Sequence, residues 1–323
     1  MDTTFYLHRQ FFDFDEYCEC ARNWDLEYRQ LDKGRFTSEL LMFGDNRAVF
    51  TDARLGRKMK QTGSPPPGLI TFGVLANPQI NIHWRNLPIS GDMLFVFPEG
   101  GELSSVTYND FNVFAVSLSE AKLNETCRNL EVDDFRKLTN GAEAFNCDSR
   151  MLEELRTWLL SVRQELVSPR NSDPDHCPGH GEDYLEYFEQ ELADRLIRAL
   201  AYNHQPVHKQ RIRKRDSALK VAENYIATTD VGHLTIPELC AISRVSERTL
   251  EYAFQEHYGL TPKRYLLLHR MNNVRKQLRA ANPKTSRIVD LARQNGFWHM
   301  SAFSTDYQNL FAELPSATLR HYS

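Results

Sequence analysis

RVSERTLEYAF, residues 244–254, runs from a small polar turn straight into a segment of helical period. Arg248, Thr249, Glu251 and Tyr252 fall on one side of that helix, and Leu250, Ala253 and Phe254 fall at the other phase. One face can therefore bury while the first is displayed. A displayed face of this kind requires a partner that reads it.

An internal repeat within 234–320 gives the stretch its context. Ile236, Leu239, Cys240, Leu250, Phe254, Gly259 and Pro262 recur as Ile288, Leu291, Ala292, Phe303, Tyr307, Ala312 and Pro315, with an offset of 52 for the first three and 53 for the last four. The extra residue falls between the two blocks, where a turn tolerates insertion. Each unit reads as a short helix, a turn and a second helix. Thr235 before Pro237 follows the cap-then-proline order that opens helices, and Asn295-Gly296 is a helix stop. Small residues at Cys240 and Ala292 allow the paired helices to approach, as a helix-turn-helix requires.

A recognition helix lies in the major groove with its N-terminal residues against base edges. In the first unit Ser246, Arg248, Thr249, Glu251 and Tyr252 occupy that position; in the second His299, Met300, Ser301 and Thr305 do. Arg248 can donate twice to guanine, Glu251 can accept from cytosine, and Tyr252 can pack on a thymine methyl or reach a phosphate. Taken singly, each could equally be a solvated surface residue, and Met300 could cap a core. The pairing of the units favours the reader role. TPKRYLLLHRMNNVRKQLRAAN, residues 261–282, joins them as a long amphipathic helix with Tyr265, Leu268, Met271, Val274 and Leu278 inward. Lys263, Arg264, Arg275, Lys276 and Arg279 are placed on or near its outward side, where some could contact phosphate.

These residues resemble the AraC/XylS family of bacterial transcription regulators. The matching patterns are S-x-R-T-L at 246–250, F-x-x-x-x-G-x-T-P at 254–262, R-M-N-N-V-R-x-x-L at 270–278 and I-x-x-x-A-x-x-x-G-F at 288–297, followed by Phe303, Tyr307 and Pro315. They cover about 218–320. The resemblance implies a seven-helix domain with two helix-turn-helix units that binds asymmetric promoter DNA and usually activates transcription through RNA polymerase. Ser243-Arg244 and Ala312 depart from the small residue or glycine that the family usually carries, and Ala312 puts the last turn after Phe311 in doubt.

The rest of the chain suits such a role. Net charge is −4 over 323 residues, but residues 206–323 hold 18 basic against 10 acidic side chains, and residues 1–205 hold 21 against 33. A polyanion partner for the C-terminal end alone is implied. HKQRIRKRD, residues 208–216, contributes part of this excess and could be only a solvated linker. Six scattered cysteines are too sparse for a disulfide framework and read as reduced thiols. Cys18-Glu19-Cys20 and His176-Cys177-Pro178-Gly179-His180 have no matching second ligand pair, so no metal and no cofactor is expected. The N-terminus is acidic and aromatic, and no apolar run can span a bilayer; an untargeted cytoplasmic protein without membrane contact is the expectation.

Segments FTSELLMF, AVFTDARL, GLITFGVL, INIHWRNL, DMLFVF and NVFAVSL, within about 35–120, are rich in β-branched and aromatic residues and separated by Gly/Pro turns. They read as a small barrel or sandwich. Two helical stripes follow: Leu152, Leu155, Trp158, Leu159 and Val162, then Leu185, Phe188, Leu192, Leu196 and Leu200. These stripes either join two subunits or simply cover the strands. The resulting expectation is an α+β multidomain chain. An N-terminal cupin-like β-barrel (about 35–120) with helices (about 120–205) forms a sensing or dimerisation domain over 1–205. A linker follows at 206–216, and an all-α double helix-turn-helix domain occupies 217–323. This order resembles the family's sensing barrel and dimerising helices, with the ethanolamine-operon regulator type as a distant likeness; neither ethanolamine nor cobalamin is inferred. Phe72, Trp84, Phe95 and Phe97 are either the lining of an apolar pocket, with Arg54, Arg57 or His83 orienting a ligand, or plain core. His83 is the only histidine of the strand region, which argues against a cupin-type metal enzyme fused to a DNA-binding module, the alternative to a regulator. A regulator working with promoter DNA, RNA polymerase, and a small-molecule effector or protein partner is the leading expectation, as an activator and as a homodimer; a regulator with no effector is the other variant.

Overall fold

The computed structural model describes residues 4–21, 23–84, 87–97, 103–168, 182–202, 205–207 and 214–321. The run 176–180 lies outside them. The chain divides into two compact units. One comprises 1–28, 36–56 and 61–208; the other comprises 29–35, 57–60 and 209–323.

The strands, in chain order, are β1 (Phe5–Phe11), β2 (Asp25–Gln30), β3 (Ser38–Gly44), β4 (Ala48–Leu55), β5 (Met59–Ser64), β6 (Ile70–Leu75), β7 (Ile82–Trp84), β8 (Leu87–Ile89), β9 (Met93–Phe97), β10 (Leu103–Val106), β11 (Phe111–Leu118), β12 (Ala144–Asn146) and β13 (Gln205–Pro206). They form two sheets, ordered β1-β3-β4-β11-β6-β9-β12-β13 and β2-β5-β10-β7-β8. Among the described residues the strands form these two sheets, and no closed barrel is found. The GDN turn signal works as read: the Asp45 carboxylate accepts from the backbone N–H groups of Arg47 (2.7 Å) and Ala48 (3.1 Å), which aligns β3 with β4.

The larger sheet is covered on both faces, so its central strands are buried along nearly their whole length. One face, with Phe43, Phe50, Phe72 and Phe114, packs against helices α2 (Glu120–Asn129), α4 (Ser149–Val167) and α5 (Glu182–Ala201). Two short helices, α1 (Phe14–Cys20) and α3 (Phe135–Thr139), complete the N-terminal set. The α5 stripe from Leu185 to Leu200 is fully buried in this core, as are Leu152, Leu155 and Leu159 of α4, so the stripes cover a sheet. Arg163 of α4 also ties the layers together. Its guanidinium donates to Asp52 on β4 at 2.6 Å and to Glu39 on β3 at 2.7 Å. Burial of Asp52 pushes its carboxyl up, against the pull of Arg54 and Arg163.

Several candidate pocket residues are relocated. Phe72 faces the helices, with its ring 5.8 Å from Phe135, because register places it opposite Val116 of the same core face. Arg54 is held by Asp52 at 3.2 Å, and Arg57 donates to the Lys33 carbonyl at 2.7 Å. Nor does His83 line the cavity between the sheets; its ring lies beside Tyr108. Trp84, Phe95 and Phe97 do line it. Among the described residues no group of three potential metal ligands comes together. At the Cys18-Glu19-Cys20 pair, burial pushes the Cys18 thiol up to about 12, which disfavours the thiolate that a metal needs. Among the described residues no helix is long and apolar enough to cross a membrane.

Among the described residues the second unit holds seven helices: α6 (Lys214–Thr228), α7 (Ile236–Ser243), α8 (Glu247–Tyr258), α9 (Pro262–Ala280), α10 (Ile288–Gln294), α11 (Met300–Phe311) and α12 (Pro315–His321). All five residues expected on the inner side of α9 are buried, from Tyr265 to Leu278. Arg275 is a correction. It is 4% exposed, with its guanidinium 5.5 Å from the Phe311 ring centre and 3.6 Å from Glu313. At three residues beyond Asn272 it shares the inward phase of the helix, so it fastens α9 to the C-terminal helices instead of facing phosphate. Lys263 and Lys276 are exposed, and Arg264 and Arg279 are half-buried.

Candidate nucleic-acid interface

Helices α7 and α8 form the first helix-turn-helix, and α10 and α11 the second. Thr235 opens α7 with a reciprocal capping box to Glu238, and this bonding holds the Glu238 carboxyl below its usual range. The two turns are then built alike. The N–H of Val245 donates to Cys240 O at 3.2 Å, and the N–H of Phe297 donates to Ala292 O at 3.0 Å. Each six-residue closure places one residue in the left-handed region: Arg244 at φ 54° in the first unit, Gly296 at φ 82° in the second. The reader helices also end alike, with the N–H of Gly259 on Gln255 O and that of Ala312 on Gln308 O, both at 2.8 Å. Gly259 and Ala312 are again left-handed, at φ 58° and 57°.

Each unit thus carries one glycine and one side-chain-bearing residue in its two left-handed positions, in opposite order. The unusual Arg244 and Ala312 are tolerated at a cost of about 1 kcal/mol each. Ala312→Gly is accordingly expected to stabilise the protein by about 0.5–1 kcal/mol, allowing for the extra freedom of glycine in the unfolded chain. A urea midpoint unchanged or lowered by this substitution would contradict the assignment of a left-handed turn after Phe311.

The two reader helices present their side chains as follows. On α8, the Ser246 hydroxyl accepts from the Thr249 N–H at 3.3 Å and caps the helix, while Leu250, Ala253 and Phe254 are buried. Ser246, Arg248, Glu251 and Tyr252 are exposed and Thr249 is half-buried. Arg248 donates to the Tyr252 hydroxyl at 3.2 Å and lies 5.6 Å from its ring centre, so the tyrosine steadies the guanidinium fork. On α11, His299, Ser301 and Thr305 are exposed and Met300 is half-buried, above buried Phe303 and Tyr307. The Thr305 hydroxyl is turned back onto Ser301 O at 3.1 Å. Lys214 and Arg244 add positive charge to a groove of about 450 Å³ that borders Ser246 and Thr249.

Two residues of this domain escaped the sequence reading. Trp298 is 62% exposed immediately before α11. The available signal was an aromatic residue outside the apolar phase of the repeat. Arg270, seen only as part of a pattern, donates from α9 to the carbonyls of Val231 and Leu234 at 2.7 and 2.8 Å, which ties the loop before α7 to the central helix.

Residues 239–321 match the family described as "Helix-turn-helix domain". The chain is 27% identical over 231 residues to the XylDLEGF operon transcriptional activator 1 of Pseudomonas putida, covering 71% of this chain and 65% of that protein. The C-terminal part of this chain is an AraC/XylS-type helix-turn-helix domain. A probable thc operon regulatory protein of Rhodococcus erythropolis is 32% identical over 102 residues, 32% of this chain and 31% of that one. Among solved structures, an AraC-type transcriptional regulator from Chromobacterium violaceum is 25% identical with a TM-score of 0.31, covering 33% of this chain and 92% of that chain. The first of these curated relatives is an operon transcriptional activator and the second a probable operon regulatory protein.

Proposed function

We propose that this protein is a sequence-specific activator of transcription that reads an asymmetric, bipartite promoter site through α8 and α11 and acts with RNA polymerase in the cytoplasm. The observation that carries this reading is the pair of matched helix-turn-helix units, each with its buried stripe inward and a polar N-terminal face displayed. In this reading Arg248 binds guanine through both arms of its fork, braced by Tyr252. Glu251 accepts from cytosine, and Ser246 and Thr249 approach the backbone at the helix N-terminus. His299, Met300, Ser301 and Thr305 read the second half of the site. The activator role is supported by the Pseudomonas putida relative, which is an operon transcriptional activator.

Residues 1–205 serve as a cupin-like sensing and dimerising domain, 206–216 as a linker and 217–323 as the reader. An effector or protein partner acts through the first of these.

In-vitro selection of the full-length protein on randomised duplexes, with Arg248→Ala and Ser301→Ala in parallel, tests the proposal. Two short blocks roughly one helical turn of ~10 bp apart are expected, each altered by one variant. Arg248→Ala is expected to weaken specific binding by about 1–3 kcal/mol and to relax choice at one base pair. Equal weakening on every sequence would make Arg248 a phosphate contact, and enrichment of no sequence by the intact protein would overturn the reading.

A further inference from the structure

The two sheets of the N-terminal unit enclose a cavity of about 60 Å³. That is several times the ~10–15 Å³ that one water requires. Its wall is aromatic and aliphatic, with Trp84, Phe95 and Phe97 mutually in contact at 4.3 to 5.9 Å between ring centres. Among the described residues that line it there is no Lys, Arg, His, Asp or Glu.

The polar atoms of the wall fall into two sets. The Ser105 hydroxyl donates to Gln61 Oε1 at 2.7 Å, and the hydroxyls of Tyr17 and Tyr28 pair with each other. By contrast the indole N–H of Trp84, 1% exposed, and the hydroxyl of Thr51, 5% exposed, have no hydrogen-bond partner among the described residues. Buried polar groups are rarely left unpaired, because each forfeits its hydration. A donor that can only donate, set in an apolar wall, calls for an acceptor that enters from outside.

We infer that this cavity is a binding site for a small uncharged molecule with a ring-sized apolar body and one hydroxyl or carbonyl oxygen, which accepts from Trp84 Nε1 and pairs with the Thr51 hydroxyl. Phenol and cyclohexanone represent the class. A carboxylate or ammonium ligand is disfavoured, since it would lie buried with no counter-charge among the described wall residues. The inference deepens the sensor role given to residues 1–205 and rests on that reading for its regulatory consequence, though not for the binding itself.

Titration of the full-length protein with phenol, cyclohexanone, benzoate and toluene tests it, followed by thermal unfolding and by the indole N–H resonance of Trp84 in ¹H–¹⁵N spectra. Phenol and cyclohexanone are expected to raise the unfolding midpoint by mass action and to shift that resonance, whereas benzoate does neither. Trp84→Phe should weaken phenol binding roughly ten-fold while leaving toluene, which has no acceptor, nearly unchanged. Thr51→Val, close to isosteric, should weaken phenol a few-fold and serves as the independent variant if Trp84→Phe fails to fold. No stabilisation by either oxygen-bearing probe, binding of benzoate as tight as that of phenol, or phenol affinity unaltered by Thr51→Val would each overturn the inference and leave water as the occupant. Selection on randomised DNA, run on the same preparation, separates the two readings. A protein that enriches a site but ignores phenol overturns only the cavity assignment, and one that binds phenol but enriches no site overturns only the regulator reading.

Discussion

Leu250→Asp is expected to abolish specific DNA binding and to unfold the first helix-turn-helix. Leu250 is fully buried on the inner face of α8, four residues before the equally buried Phe254. The substitution removes a large apolar side chain and places a carboxylate in a fully buried position, together on the order of 5 kcal/mol. That is a large share of the stability of an ordinary domain. Circular dichroism should show lost helix, and a gel-shift assay on the selected site should show no complex. The control is Glu251→Ala at the next position. It is exposed, so the fold should hold and only readout should change. A Leu250→Asp protein that kept full helicity and bound its site would mean that α8 is rotated from the phase described.

Gly296→Ala is expected to destabilise the second unit by roughly 2–4 kcal/mol. Two independent causes act at this position. The backbone is left-handed at φ 82°, and a Cβ there would sit 2.2 Å from the carbonyl oxygen of Gly232. Gly232 is constrained in return, since its own Cβ would lie 2.4 Å from Gln294 O. The loop before α7 and the turn before α11 thus meet backbone to backbone, and no side chain can retreat to relieve the clash. Because this contact couples the two units, Gly296→Ala should lower the chemical-denaturation midpoint and weaken binding at the second half-site more than at the first. A midpoint equal to that of the unaltered protein would show that the two backbones are further apart than described.

The reader domain was legible because its signals are local. A stripe of Leu250, Ala253 and Phe254 against Arg248 and Tyr252 states which face of a helix buries, and its recurrence at Phe303 and Tyr307 states that the unit occurs twice. Caps at Thr235 and Ser246 lie within three residues of what they bond. The N-terminal strands were legible for the same reason, through alternation and turn residues, but their assembly was not. Short β2, β5 and β10 carry mixed polar residues and gain definition only from pairing in the second sheet, with partners far along the chain. The misplacement of Arg275 has a similar cause: a charged side chain reads as outward until Glu313 and Phe311 appear opposite it.

By itself, then, the sequence determined two helix-turn-helix units with named display faces, a long helix between them and a strand-rich part followed by covering helices. Periodicity reports burial, and burial is decided within a few turns of chain. Tertiary structure alone decided that the strands form two sheets, that Phe72 faces helices while Trp84 and Thr51 face a cavity, and that Gly232 and Gly296 meet at their backbones. Each of these depends on which distant segment stands opposite, and that is fixed by packing across the whole chain rather than by any window of it.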